Sequence, residues 1–271
     1  WTGITTCNQI LDMMGELPST PALTSKKKEV EVLRSYYYFL LIDNYGDAPY
    51  LTSAKNAPDK PFKIKRAVIY DSLVATVTGA LGHLKEVDIK YMVNKHTAHA
   101  LLTKLYLNAG VYKGEAQWDS AAKYCDLVLA GPYALETNLL APFVTNNEKS
   151  KEIIFSIPYD ENTFQGFRLH MRTLHYQHNL RFDMPVGPWN GFCCTPPFFE
   201  SLEEGDKRKE GYLIFGQQFS VTGDTILDGG TKLPMNIDYR IPSLKMDADN
   251  YTPTPISTTR IDCARIVRSP G

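Results

Sequence analysis

The chain has 271 residues, enough for one large or two ordinary domains with a real core and no disulfide staples. Its 29 basic and 30 acidic residues leave a net charge of -1, which excludes a global field that recruits nucleic acid or an anionic bilayer. The longest purely apolar run, Tyr36 to Ile42, falls well short of the roughly 20 residues that span a bilayer as a helix.

The first residues, Trp1 to Leu11, carry neither a basic leader nor a cleavage site and read as the interior of a helix, so a natural beginning upstream is expected. The next helix shows one stripe of Val30, Leu33, Tyr37, Leu40 and Leu41 and a second of Val32, Tyr36, Phe39 and Ile42. It is expected to be buried on two faces. Gly46 in a left-handed cap and Pro49 end it, and a loop with Pro58 and Pro61 follows. Tyr70, Leu73, Val74, Val77, Leu81 and Leu84 mark another helix. Gly79 and Gly82 within it cost about 1 kcal/mol each, and close packing is the expected reason.

The strongest periodicity lies between Thr97 and Ala130. Ala98, Leu101, Leu102, Leu105, Ala109 and Tyr112 share one helix face, and Trp118, Ala121, Ala122, Cys125, Val128 and Leu129 share another. Neither stripe is buried by its own helix, so the two pair as a hairpin, and hairpins of this kind stack on others. The loop Val111 to Gln117 between them is long for a standard repeat turn.

Gly131-Pro132 breaks the helical half. Residues 1–150 are therefore predicted as a tetratricopeptide-like helical scaffold, and 151–271 as an irregular loop and strand region of the same compact domain that carries the binding surface. The fold class is mainly α, a superhelix of helical hairpins with a loop-rich, short-strand insertion. Glu152 to Pro158, Tyr212 to Phe219 and Arg265 to Arg268 are the predicted strands. Gly223-Asp224 and Asp228-Gly229-Gly230 signal one or two hairpins.

Five cysteines without a CxxC pair give no support to a zinc ribbon or a thioredoxin-type site. Cys125 is expected in a helix core. The neighbours Cys193 and Cys194 read as two small apolar residues, with a strained disulfide between them as the alternative.

Arg34 to Pro49, Ala100 to Gly110, Trp118 with Ala121, Glu152 to Ile157, and Trp189-Asn190-Gly191-Phe192 follow one another as they do in proteins of the SusD/RagB family. The chain resembles that family from Trp1 to about Arg268. The resemblance implies a superhelix of tetratricopeptide-like hairpins with an irregular insertion. It also implies a surface-exposed outer-membrane lipoprotein of Bacteroidetes-like bacteria that binds starch or another glycan. Such a protein rests on a SusC-like TonB-dependent transporter and helps pass oligosaccharide inward for nutrient uptake. A lipidated cysteine and first helices upstream, last hairpins downstream of Gly271, and part of the glycan site before Trp1 are implied in a longer natural chain. Contact with the membrane would come only through that lipid anchor. The paired Cys193-Cys194 departs from the family's more usual single cysteine.

Carbohydrate sites pair an exposed aromatic face with amide, carboxylate or guanidinium groups that reach the hydroxyls. Trp189 sits among glycine and proline outside any apolar periodicity, which suits a platform; a plug that seats the loop on the scaffold is the equal alternative. Asn190 reads as a turn former. Tyr176, Arg181 and Phe192 are candidates for the same surface, whereas Asp47 reads as a loop residue after the helix cap.

His170, His175 and His178 do not share a helix face, have no acidic residue to complete a zinc pattern, and read as solvated loop histidines. His96 and His99 read as part of a capped, exposed turn. Asp247 and Asp249 begin like a calcium loop, but Thr252 and Thr258 stand where glycine and glutamate are required. Glu200, Glu203, Glu204 and Asp206 invite glycoside hydrolysis, yet Lys207, Arg208 and Lys209 beside them read as a solvated mixed-charge face. No GxSxG, P-loop or HExxH is present, and no cofactor or metal is expected. The reading is a non-catalytic glycan-binding subunit; a helical-repeat scaffold for protein partners is the alternative, and a glycoside hydrolase stands third.

Overall fold

The computed structural model describes residues 1–144, 147–160, 162–163, 165–229 and 232–237. It divides into two compact units, the first of residues 1–134 and 151–158, the second drawn from residues 135–150 and 159–271. Among the described residues no helix is long and apolar enough to cross a membrane.

The first unit is a row of helices: α1 (Thr2–Gly15), α2 (Pro21–Tyr45), α3 (Arg66–Ala80), α4 (Lys95–Leu107), α5 (Ala109–Lys113) and α6 (Trp118–Leu129). Helix α1 packs on α2, α2 on α3, α3 on α4 and α5, and α4 on α6. This packing of each helix on its neighbours is the tetratricopeptide-like pattern. Each start and stop has a local cause. Thr20 accepts a hydrogen bond from the Leu23 N–H and Pro21 occupies the first turn of α2, where its missing N–H costs nothing. Gly46 ends α2, but at a φ of 73° and a ψ of -121° it adopts a positive-φ conformation open chiefly to glycine and not the expected left-handed cap. Asn94 and Thr97 form a reciprocal capping box at α4. Asp47 accepts from the Arg66 N–H at 2.8 Å and from Lys65 Nζ at 3.1 Å, so its carboxylate fastens the start of α3. These contacts hold its pKa below the usual carboxylate range.

Helix α2 is buried on two sides, as its double stripe predicts. Val32, Tyr38, Phe39 and Ile42 lie in the core, and Leu33, Tyr36, Tyr37 and Leu41 pack around it, although Leu40 reaches solvent. The stripe from Ala98 to Tyr112 is buried throughout, although α4 ends at Leu107 and its last two members, Ala109 and Tyr112, lie on α5.

Other expectations need correcting. On α6 the buried residues are Ala121 and Tyr124, while Trp118 is 59% and Leu129 73% exposed and Ala122 is also exposed. The reason is that α6 packs chiefly on α4, which covers one flank of a stripe wide enough for two neighbours. Cys125 is half-buried. The predicted 111–117 loop is shorter, since α5 continues to Lys113 and Gly114 caps it at a φ of 83°. Close packing does not explain Gly79 or Gly82, because a Cβ at either would meet nothing within 4 Å.

His96 and His99 are not exposed. The ring of Tyr133 closes over His96 edge-on and that of Tyr124 lies against His99, leaving the histidines 4% and 8% accessible. The run at 152–158 forms no strand among the described residues. It is an extended segment tied by the Ser156 N–H to the Lys90 carbonyl at 2.8 Å, with no ladder partner to complete a sheet.

Among its described residues the second unit contains short helices α7 (Leu169–Thr173), α8 (His178–Arg181), α9 (Pro196–Ser201) and α10 (Lys207–Tyr212) and two strands, β1 (Gly216–Gln217) and β2 (Asn236–Ile237). The strands pair antiparallel with Gly216 opposite Ile237. Bridges between Phe219 and Thr225 and between Leu227 and Pro234 mark two reversals, one through Gly223 at a φ of 86°. The predicted 212–219 strand shrinks to Gly216–Gln217, with Tyr212 taken by α10 and Phe219 in an isolated bridge. Leu174, Phe199, Leu213, Ile214, Ile226 and Met235 form the core of this unit. The 265–268 strand, the Asp247-Asp249 segment and Gly230 lie outside the described residues.

Candidate functional site

The site begins with a helix too short to satisfy itself. Helix α7 has only five residues, and a helix leaves its last carbonyl oxygens without partners. The loop at 189–192 supplies them: Trp189 N–H donates to the Met171 carbonyl at 2.6 Å, Asn190 N–H to Leu174 at 3.1 Å, and Gly191 and Phe192 N–H both to Arg172 at 2.9 and 2.8 Å. Met171 and Leu174 are buried, which anchors α7 and, through it, the loop.

Local chemistry lets the loop lie this close. A Cβ on Gly187 would stand 3.0 Å from the Tyr176 carbonyl oxygen, and one on Gly191 would stand 3.2 Å from that of Arg172. Asn190 has a φ of 53°, a left-handed conformation that asparagine accepts better than most side-chain-bearing residues. Among the described residues its Oδ1 has no donor. Pro188 is buried.

The indole of Trp189 is 44% exposed and flanked by two cations, Arg168 Cζ at 5.9 Å and Arg172 Cζ at 5.7 Å from the ring centroid. Both distances lie at the outer limit of cation–π attraction, wider than stacking contact. Tyr176 and Phe192 are exposed as well. The structure thus brings Trp189, Asn190 and Phe192 together with the 172–176 segment.

Arg181 is directed elsewhere. Its guanidinium donates to Oε1 of the fully buried Gln218 at 2.6 Å, and burial pulls its pKa down. Arg168 and Arg172, absent from the sequence-derived candidates, stand beside the indole instead. Their signal was present as two arginines four residues apart in a stretch, 162–182, that lacks any Asp or Glu.

The remaining candidates have structural roles. His175 and His178 are buried rather than solvated, because the 174–178 turn folds inward: the His175 N–H donates to His178 Nδ1 at 3.0 Å and the Gln177 N–H to His175 Nδ1 at 3.3 Å. Burial lowers the pKa of His170. Among the described residues no three His, Cys, Asp or Glu side chains gather where they could hold a metal ion. Asp206 accepts from the Arg208 N–H at 2.9 Å and pairs with its guanidinium, which lowers the Asp206 pKa to about 2. That carboxylate caps α10. In the first unit a hollow of about 370 Å³ opens between α2, α4 and residues 152–155, lined by Val32, Tyr36, Leu101 and Phe155 among others. Its wall is mostly apolar, unlike a surface that reads sugar hydroxyls.

Residues 1–107 match the SusD-like family described as starch-binding and associating with the outer membrane. Starch-binding protein SusD of Bacteroides thetaiotaomicron is 28% identical over 170 residues, which make up 58% of this chain and 29% of that protein. A SusD superfamily protein from Parabacteroides distasonis superposes with a TM-score of 0.70 at 22% identity, covering 85% of this chain and 50% of its own. Surface glycan-binding protein A from Bacteroides thetaiotaomicron, solved with laminarihexaose, gives 0.65 at 18% identity, covering 78% and 47%. The chain spans about half the length of these solved relatives and under a third of the curated one.

Proposed function

We propose, because this chain resembles the SusD/RagB family, that it captures glycan at the outer surface of the outer membrane and hands it to a SusC-like TonB-dependent transporter, with no catalysis of its own. The observation that carries this reading is the half-exposed indole of Trp189 on a loop pinned by four backbone hydrogen bonds. Such a ring is held still before ligand arrives. Stacking on a sugar face then costs little conformational entropy, and the Asn190 side-chain amide stands nearby for the hydroxyls. Two related proteins support the reading by what they bind: one is named starch-binding and another was solved with laminarihexaose.

Calorimetric titration with a panel of soluble starch, laminarin and other plant and microbial glycans tests it. At least one is expected to bind, and Trp189→Ala is expected to weaken that binding about tenfold. No binding to any member of the panel by the whole natural protein would overturn it.

A helical-repeat scaffold for protein partners is the second reading, favoured by the exposed Trp118 and Leu129 on α6. Co-purification of a transporter whose yield falls with Trp118→Ala, in a protein that binds no glycan, would promote it.

A further inference from the structure

Residues 162–199 carry three arginines, Arg168, Arg172 and Arg181, against one carboxylate, Asp183. Arg181 is committed to Gln218. Arg168 and Arg172 are exposed, and among the described residues neither is paired with a carboxylate. They stand one helical turn apart, a spacing at which like charges repel by about 0.2–0.5 kcal/mol. The face of Trp189 is the partner they share, at 5.7 and 5.9 Å.

Guanidinium groups match planar or tetrahedral oxyanions by paired N–H donors, a geometry that neutral hydroxyls use poorly. An acidic sugar lying on the indole would place its anionic group where two cations already converge. Binding would also relieve their mutual repulsion. His170, close by on α7, stays neutral near pH 7 because burial lowers its pKa, so the positive charge there belongs to the two arginines.

We propose that Trp189, Arg168 and Arg172 form a subsite for acidic saccharide, a sugar ring that bears a carboxylate or a sulfate ester. This rests on the glycan-capture reading and adds the ligand's charge to it. The subsite selects the anion through its cations and the ring through its indole.

The test compares matched acidic and neutral probes by calorimetry at near-physiological salt: oligogalacturonate and its methyl ester, carboxymethyl and hydroxyethyl cellulose, sulfated and unsulfated laminarin. In at least one pair the acidic member is expected to bind at least about tenfold tighter, a margin of about 1.4 kcal/mol. Arg168→Gln with Arg172→Gln is expected to abolish the margin and leave the neutral probe within about twofold. Trp189→Ala is expected to weaken both members. Both arginines are exposed, so unchanged circular dichroism checks that the double variant folds. Arg208→Gln, which removes a cation already paired with Asp206, controls for general charge and is expected to change nothing. The carboxylate pairs and the sulfate pair tell the two anions apart. Equal binding of both members, still dependent on Trp189, would overturn this inference and leave glycan capture standing. An acidic preference that survives the double variant, or falls equally with Arg208→Gln, would overturn it as well. If none of these probes binds, this inference falls, and glycan capture is decided by the wider panel that includes starch.

Discussion

Replacing Asn8 by alanine removes a small polar side chain that holds a buried cation. Arg34 is only 8% accessible, and its Nη1 donates to Asn8 Oδ1 and to the Thr52 carbonyl, each at 2.8 Å; among the described residues no carboxylate pairs with it. Asn8 Nδ2 in turn donates to the Leu51 carbonyl at 2.9 Å, which also accepts from Tyr38 Oη at 2.8 Å. The same amide therefore ties α1 to α2 and to the 51–52 loop. Asn8→Ala leaves a buried guanidinium short of one acceptor, a loss of about 1.5–3 kcal/mol for a charge-assisted bond. The Leu51 carbonyl keeps Tyr38, so that second loss is about 0.5–1 kcal/mol. The sum is about 2–4 kcal/mol. Urea unfolding followed by far-UV circular dichroism reads it, because the longer helices are those of the first unit. Arg34→Met removes the charge along with its demand, so in the double variant the Asn8→Ala cost should fall well below its cost alone. A cost under about 1 kcal/mol for Asn8→Ala, or strict additivity in the cycle, would refute the assignment of Asn8 as the keeper of Arg34.

Gly79→Ala should raise stability by about 0.5 kcal/mol, since a Cβ there meets nothing and helix propensity is gained near the end of α3; a fall in the urea midpoint would contradict it. Burial first and His96 second hold the His99 pKa below its ordinary value, so the folded state favours neutral imidazole. Its stability contribution is full above about pH 6.5 and shrinks as pH falls toward the lower folded pKa, by at most about 1.4 kcal/mol per pH unit. His170 acts in the same direction. Unfolding curves at pH 7.5 and 5.5 should show this loss, and His99→Gln should reduce it; an unchanged pH slope in that variant would count against the assignment. Gly191→Ala should weaken any saccharide held at Trp189 severalfold with helical content unchanged, because the new methyl would stand 3.2 Å from the Arg172 carbonyl and push the loop off α7. Wild-type affinity in that variant would show that the loop tolerates the shift.

The helices were legible because their signals are local. The double stripe of α2 needed only residues three and four apart, and Gly46 marked its end by a backbone conformation that glycine adopts at little cost. The candidate site was legible in part. Trp189 stood out by its setting among glycine and proline, but its neighbours did not. Arg181 was the arginine named for that surface, and it turns to Gln218, whereas Arg168 and Arg172 meet the ring.

The histidines show the boundary most clearly. His96, His99, His175 and His178 all read as exposed from their polar surroundings in sequence, and all four are buried. Tyr133 and Tyr124 cover the first two, the former from beyond the end of the α4–α6 hairpin, and a tight inward turn hides the others. Periodicity and capping depend on residues within one turn of each other, so the sequence alone determined that the segments of α2, α3, α4 and α6 coil, and where α2 stops. Burial of an isolated side chain, and which cation meets which ring, depend on segments brought together from far along the chain. Those were decided only by the tertiary structure, because the free energy that selects them is a contact between distant residues and leaves no local period to read.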